Sequence, residues 1–176
     1  MLKFIHISIF VLFLPFTSAN QIDEVTLKAV YIERFTRFIE WPYEIEKADF
    51  FRIQVVGSKE MAEQFREVFK QLPIKNKSVL VFDGNAYDAN FGTHLIYVSD
   101  KYYLDKILEN SHGKPILIVT EGRGGAESGA MINIYRKNQK LRFEINEQAI
   151  HESLLYVSYR LLQSAENIVN PMRTNK

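Results

Sequence analysis

The second half of the chain contains two runs in which apolar and polar residues alternate. The runs span residues 129–135 and 141–146, and the polar segment Lys137-Asn138-Gln139-Lys140 lies between them. Alternation of this kind places successive side chains on opposite faces of a strand. Two such runs joined by a short polar turn predict a β-hairpin.

Polar side chains occur inside both strands of this predicted hairpin. Met131, Asn133 and Tyr135 share one face of the first strand, and Arg142 and Glu144 share one face of the second. These residues are either part of a binding surface or ordinary solvent-facing side chains. An ion pair between the arginine and the glutamate within the sheet is a further alternative.

Upstream, the spacing of apolar positions predicts an α/β fold. A helix over residues 23–39 has one apolar side, and Pro42 predicts its end near Trp41. Ser58 and Asp100 are predicted to cap two further helices. A strand is predicted at residues 51–56, and short apolar runs predict buried strands at residues 79–82, 95–98 and 116–119.

The order of these elements favours a single domain, a mixed β-sheet flanked by helices in a layered α/β/α arrangement. The C-terminal part is predicted to add the hairpin and one helix. Asn146 is the predicted N-cap of that helix. Its apolar stripe would comprise Ile150, Leu154, Val157, Leu161 and Ala165.

The two ends of the chain have separate roles. Residues 1–19 combine Lys3, an apolar stretch from Phe4 to Phe16 and small residues up to Ala19, which predicts a secretory signal peptide cleaved after Ala19. An uncleaved membrane anchor is the alternative, although the apolar stretch is shorter than the ~20 residues of a spanning helix. The folded domain is expected over residues 20–170, followed by a polar tail at 171–176.

Charge and composition narrow the possible functions. Removal of residues 1–19 takes away one lysine and leaves 21 basic and 21 acidic side chains. This balance gives no electrostatic reason to expect binding of nucleic acid or of an anionic membrane surface. The chain has no cysteine, which excludes disulfides, thiolate metal sites and cysteine nucleophiles.

Candidate catalytic chemistry is sparse. The glycine-rich segment 121–129 leads into a strand and not into a helix N-terminus, so it lacks the context of a phosphate-binding loop. It is either a flexible connection or a loop that faces a partner or ligand. His94, His112 and His151 do not stand at metal-ligand spacing. No catalytic residue, metal or cofactor is predicted, and the sequence offers no positive case for an enzyme.

Several motifs taken together resemble the YfiR family of small periplasmic bacterial proteins. These are Lys28-Ala29-Val30-Tyr31-Ile32, Phe38-Ile39-Glu40-Trp41-Pro42, Gly129-Ala130-Met131-Ile132-Asn133 and Leu141-Arg142-Phe143-Glu144-Ile145-Asn146. The resemblance extends from about Lys28 to Ala165. Ala130 departs from it, because a second glycine is expected at that position.

The resemblance implies a periplasmic regulator that binds and represses the periplasmic sensory domain of an inner-membrane diguanylate cyclase. Such a protein would control cyclic di-GMP signalling and biofilm formation without inserting into the membrane itself. A homodimer is a further expectation. Because cysteine is absent, a disulfide-based redox response is not available to this chain.

The resemblance also marks candidate residues for binding a partner or ligand. Trp41 is added because tryptophan is common at binding hot spots, although a tryptophan at a helix exit also often covers the core. The candidates are Gly129, Met131, Asn133, Arg142, Glu144, Asn146 and Trp41. Two other functions stay open: a ligand-binding module for another membrane receptor, such as a sensor histidine kinase, and a small hydrolase with convergent catalytic residues.

Overall fold

The structure is a computed structural model that describes residues 23–42 and 47–170. The predicted signal peptide at 1–19 and the predicted tail at 171–176 lie outside the described residues. Within the described part of the chain, every helix is too short or too polar to cross a membrane.

Five helices and nine strands make up the described chain, in addition to short 3-10 turns. In chain order they are α1 (Glu24–Arg37), β1 (Ile39–Glu40), β2 (Phe50–Val56), α2 (Lys59–Phe69), β3 (Ser78–Gly84), β4 (Leu95–Val98), α3 (Leu104–Ser111), β5 (Leu117–Glu121), β6 (Ile132–Lys137), β7 (Lys140–Asn146), α4 (Glu147–His151), β8 (Tyr156–Val157), α5 (Tyr159–Ser164) and β9 (Asn167–Val169).

Helix α1 begins with a side-chain cap and ends earlier than its apolar pattern predicts. The carboxylate of Asp23 accepts a hydrogen bond from the backbone N–H of Thr26 at 2.9 Å, which satisfies one free donor of the first turn. The predicted helix extended to residue 39. In the structure Ile39 instead begins β1, whose two residues pair with β8, so tertiary strand pairing overrides the helical pattern at this end.

The main sheet has seven strands in the order β3-β2-β4-β5-β6-β7-β9. Strands β2 to β6 pair with one another in parallel, β7 pairs antiparallel with β6, and β9 pairs parallel with β7. All four residues of β4 are buried, as expected for a parallel strand covered on both faces. The predicted mixed sheet and hairpin are therefore confirmed.

Helices cover both faces of this sheet. On one face, Phe35 of α1 packs on Phe143 of β7 with ring centroids 4.8 Å apart, and Phe65 of α2 packs edge-on against Tyr97 of β4 at 5.0 Å. On the other face, α3 and α4 border the same cleft over Ile118 of β5. This arrangement confirms the predicted α/β/α layers.

The predicted helix starts are also present. The Ser58 hydroxyl accepts from the N–H of Met61 at 3.0 Å, and the Asn146 side chain accepts from the N–H of Ala149 at 2.9 Å. Asp100 caps a 3-10 turn, Lys101–Tyr103, that runs directly into α3. The sequence therefore predicted the capping residues correctly, because capping depends on neighbours in the chain.

The single C-terminal helix predicted after Asn146 is wrong. The chain forms α4, a turn, β8 and then α5. The Ser153 hydroxyl donates to the carbonyl of Ile150 at 2.7 Å and accepts from the N–H of Leu155 at 3.1 Å, which closes a turn in place of a further helical turn. Ser158 then donates its N–H to Phe38 at 2.8 Å. Pairing with β1 draws the chain away from the helical path.

This break predicts a contrast between two leucines of the supposed stripe. Leu161 is 3% exposed, whereas Leu154 is 64% exposed. We expect Leu161→Ala to lower the free energy of unfolding by about 2–4 kcal/mol, because it removes buried methyl groups and leaves a cavity. Leu154→Ala should change it by less than about 0.5 kcal/mol. Urea unfolding followed by circular dichroism measures both, and equal losses would support the unbroken helix.

Candidate functional site

The candidate residues of the hairpin lie on one face of β6 and β7. In the register of the two strands, Asn133 is opposite Glu144 and Tyr135 is opposite Arg142. Met131 precedes Asn133 by two positions, so its side chain shares this face. We call the five residues Met131, Asn133, Tyr135, Arg142 and Glu144 the hairpin face.

Asn133 is fully buried, although it is polar. Its amide nitrogen Nδ2 donates to the carbonyl of Gly122 at 2.8 Å and to Oε1 of Glu144 at 2.8 Å. A buried amide with two good acceptors holds its surroundings in place, because breaking either bond would leave a polar group unpaired. Asn133 therefore attaches the start of the glycine-rich loop, residues 122–130, to the hairpin.

Asn146 attaches the same loop further along. Its Nδ2 donates to the carbonyl of Ala126 at 2.8 Å, while its side-chain oxygen caps α4. The backbone N–H of Asn146 also donates to the carbonyl of Met131 at 2.9 Å. Two asparagine side chains thus hold the loop against the sheet. These contacts do not agree with the alternative that the loop is only a flexible connection.

Two glycines allow the loop to come this close. A methyl group on Gly125 would lie 2.3 Å from Cγ2 of Thr120 and 2.5 Å from Oδ1 of Asn133. Gly129 has a positive φ of 107°, and a methyl group there would lie 2.7 Å from Cδ1 of Leu108. Side chains at either position would collide with the sheet or with α3, so both glycines are required by close approach.

The far end of the hairpin face is open to solvent. Nε of Arg142 lies 3.6 Å from Oε2 of Glu166, and Lys137 pairs with the other carboxylate oxygen of Glu166. The predicted alternative of an Arg142–Glu144 ion pair does not describe this arrangement, since Glu144 accepts from Asn133. The Arg142 side chain is 46% exposed and can contact another molecule.

A shallow cleft of about 280 Å³ adjoins this open end, between the hairpin and the start of the loop. Arg123 and Lys137 contribute cationic groups to its lining, Glu144 a carboxylate and Tyr135 a phenol. Burial, followed by the charges of Glu144 and Glu166, raises the pKa of the Tyr135 hydroxyl. The phenol is therefore a hydrogen-bond donor at neutral pH, and the surface combines donors with both signs of charge.

The structure places Trp41 away from this surface, in the core. The residue is 5% exposed, and its ring meets Phe51 edge-on at 5.5 Å. Its indole N–H donates to the carbonyl of His94 at 3.3 Å. The core alternative for this tryptophan matches these contacts.

A buried lysine on the opposite face holds α1 to the sheet. The ammonium of Lys28 contacts Glu24 at 3.0 Å and also pairs with Glu121 at the end of β5. Burial opposes its charge, but the hydrogen bonds that its ammonium donates to Glu121 and Glu24 keep the pKa of Lys28 above its usual value. Burial, with the charge of Glu121, raises the pKa of Tyr97 well above its usual value.

The part of the chain that the structure describes lacks the side-chain clusters of a metal centre. In the described ranges no group of three histidine, cysteine, aspartate or glutamate side chains could hold a metal ion. The imidazole of His94 is buried, stacks on Phe51 at 4.9 Å and accepts the N–H of Arg52 at 3.0 Å. That histidine serves the packing of β2 against its neighbours.

Strands β3-β2-β4-β5-β6 have the order of a doubly wound sheet, in which ligands commonly bind where the strand order reverses, between β2 and β4. Here that point is closely packed. Gly57 follows β2 with a φ of 97°, and a methyl group on it would lie 2.9 Å from Cβ of Asp100. The candidate site is therefore on the hairpin side of the sheet and not at this point.

A model of the YfiR/HmsC-like family matches residues 25–166. The chain belongs to the YfiR/HmsC-like family. The match spans both α1 and the hairpin face, which confirms the resemblance drawn from the sequence motifs. No curated protein matches the chain.

Among solved structures, this YfiR/HmsC-like chain is similar to an ABC domain in complex with L-Trp from Streptococcus pneumonia. The identity is 11% and the TM-score 0.57, with 82% of this chain covered. The chain spans 60% of the length of that protein. At this identity the likeness concerns the fold alone.

The sequence identified most of the hairpin face of this family member but missed two residues that organise it. Glu166 lies in the segment leading into β9, and only the pairing of β9 with β7 brings it to Arg142. Gly125 is one of several glycines in the loop. Nothing in the local sequence distinguishes it, since its role depends on the approach of Asn133.

The contact at Gly125 predicts a specific loss of stability. Gly125→Ala should lower the free energy of unfolding by about 1–3 kcal/mol, because the added methyl group overpacks the space beside Thr120 and Asn133. Amide hydrogen exchange should also accelerate across residues 122–130. Denaturant unfolding and exchange mass spectrometry measure the two effects.

Gly84→Ala is the matched control, because the nearest atoms to an added methyl group there are 3.6 and 3.7 Å away. Its effect should be clearly smaller. If both variants lost equal stability, or if exchange in the loop did not change in Gly125→Ala, the proposed packing of the loop would be incorrect.

Proposed function

We propose that this protein is a periplasmic, non-enzymatic regulator. It binds the periplasmic sensory domain of an inner-membrane diguanylate cyclase and holds the cyclase inactive, which lowers cyclic di-GMP and biofilm formation. Membership of the YfiR/HmsC-like family supports a regulator of diguanylate cyclase. The predicted signal peptide agrees with export to the same compartment as the sensory domain.

The proposed binding surface rests on one observation, the exposed side chains at the open end of the hairpin face. Arg142 and Lys137 share one carboxylate, that of Glu166, and both cations are about half exposed. Arginine and tyrosine are enriched at the energetic centres of protein interfaces. Arg142 and Tyr135 stand opposite each other in the strand register and form the centre of the proposed contact.

Asn133, Asn146 and Gly129 have a different role in this proposal. They are buried or closely packed and hold the glycine-rich loop against the sheet. They keep the open end of the hairpin face in one shape before binding, and preorganisation of this kind reduces the entropy lost on association. These family-marked residues would thus support the interface without forming its contact surface.

Repression would work by a shift in population. The regulator would bind the inactive conformation of the sensory domain more tightly than the active one, and the ratio of the two affinities would set the degree of repression. The nucleotide itself is made across the membrane, so no nucleotide site is needed in this chain. A signal that weakens the contact would release the cyclase.

We expect Arg142→Glu to weaken binding to a periplasmic cyclase domain from the same genome by about tenfold or more, because the new carboxylate lies beside Glu166 and reverses the local charge. Isothermal titration calorimetry with the chain from residue 20 onward measures this. Lys70→Glu, the same charge change at the exposed residue that follows the last turn of α2, is the matched control and should bind as the unchanged protein does.

If both variants weakened binding equally, the overall charge of the protein would explain the loss of affinity. That result would contradict the proposed surface. If no periplasmic cyclase domain from that genome bound, the repressor function would be incorrect. Binding of a sensor kinase domain in place of a cyclase domain would favour the alternative of a module for another receptor.

A further inference from the structure

A second cleft, of about 420 Å³, lies on the other side of the glycine-rich loop, between α3 and α4. Leu108, Ile118 and Met131 provide apolar lining. Sites for small ligands usually begin at about 300 Å³ and combine an apolar lining with a few polar groups. The methionine is an adaptable lining residue, because its unbranched thioether accommodates different shapes.

Most polar groups around this cleft already have partners within the protein. The Ser111 hydroxyl donates to Ile107, and Lys114 donates to Asn110 while its ammonium lies 4.5 Å from the centroid of the Tyr87 ring. The same holds for Asn146, Gln148, Ser128 and Ser153. These groups shape the cleft but have little remaining capacity to orient a ligand.

Glu127 differs from them. Its carboxylate forms no salt bridge with any side chain that the structure describes. Lys101 lies nearby without forming a salt bridge to it: the Lys101 ammonium donates to the carbonyl of Gly124 at 3.5 Å, and a methyl group on Gly124 would lie 3.7 Å from that ammonium and 3.3 Å from Oε2 of Glu127. The cleft carries a second carboxylate on α4, that of Glu152, which accepts from Gln148 at 2.9 Å. Glutamates thus stand on both the loop side and the α4 side of an apolar floor.

We propose that this cleft binds small organic ammonium compounds whose apolar body is about the size of one ring. The apolar body would rest on Leu108, Ile118 and Met131, and the ammonium would pair with Glu127. An anion of the same size would meet two carboxylates there, while the ammonium of Lys114, which also lines the cleft, already contacts Asn110 and Tyr87. The anion should therefore bind more weakly. Binding in this cleft does not require the cyclase function, since the hairpin face lies on the other side of the loop.

Two-dimensional amide NMR on the chain from residue 20 onward tests the site with three ligands of similar shape. These are the cation 2-phenylethylamine, the neutral 2-phenylethanol and the anion 3-phenylpropionate. We expect the cation to shift the amides of Leu108, Ile118, Met131 and Ala149. It should bind at least about threefold more tightly than the alcohol, the size expected of an ion pair near the surface, and the anion should bind least.

Three variants assign the binding to its groups. Glu127→Gln should remove the advantage of the cation over the alcohol, whereas Glu60→Gln, on α2 across the sheet, should preserve it. Ala149→Leu should weaken both ligands, because its larger side chain fills part of the cleft. Absence of shifts at the cleft, equal or stronger binding of the anion, or a preference for the cation that survives Glu127→Gln would each overturn the proposal.

Discussion

The close contact between the glycine-rich loop and Asn133 organises one whole side of this molecule. Gly125 has no side chain, so the loop can lie against Thr120 and the buried amide of Asn133. That amide in turn donates to the start of the loop and to Glu144 on the neighbouring strand. Packing and hydrogen bonding thus act on the same few atoms, and a change in either affects both the loop and the hairpin.

The loop also separates two surfaces of different chemistry. On one side lies the open end of the hairpin face, where exposed cations share the carboxylate of Glu166. On the other lies a cleft with apolar lining and the carboxylate of Glu127 at its edge. Because one segment, held by Asn133 and Asn146, borders both, a ligand that moved the loop would alter the two surfaces together.

Polar side chains within strands proved to be informative for different reasons. Asn133 and Asn146 are almost completely buried and satisfy backbone carbonyls of the loop. Arg142 is half exposed and reaches a carboxylate of the segment before β9. The same alternation pattern therefore produced one group of residues that holds the fold and one that faces solvent. Family membership marks both groups without separating them.

Local sequence determined the features that depend on neighbours in the chain. Alternation predicted the hairpin, and side-chain oxygens at Ser58 and Asn146 predicted helix starts, because these patterns act over a few residues. Apolar runs predicted buried strands, which holds for β4 and β5 but not for β3, because β3 lies at the edge of the sheet and its Leu80 is 37% exposed. The residues of the hairpin face were found in the same way, with the help of a family resemblance.

Only the tertiary structure decided which distant segments meet. The order of the strands, the pairing of Glu166 with Arg142 and the close approach at Gly125 all join residues far apart in sequence. The break after α4 has the same origin, since Ser158 bonds to Phe38 and strand pairing with β1 competes successfully with a continuous helical stripe. Helical periodicity describes what one segment favours alone, whereas pairing and packing depend on the partner it finds.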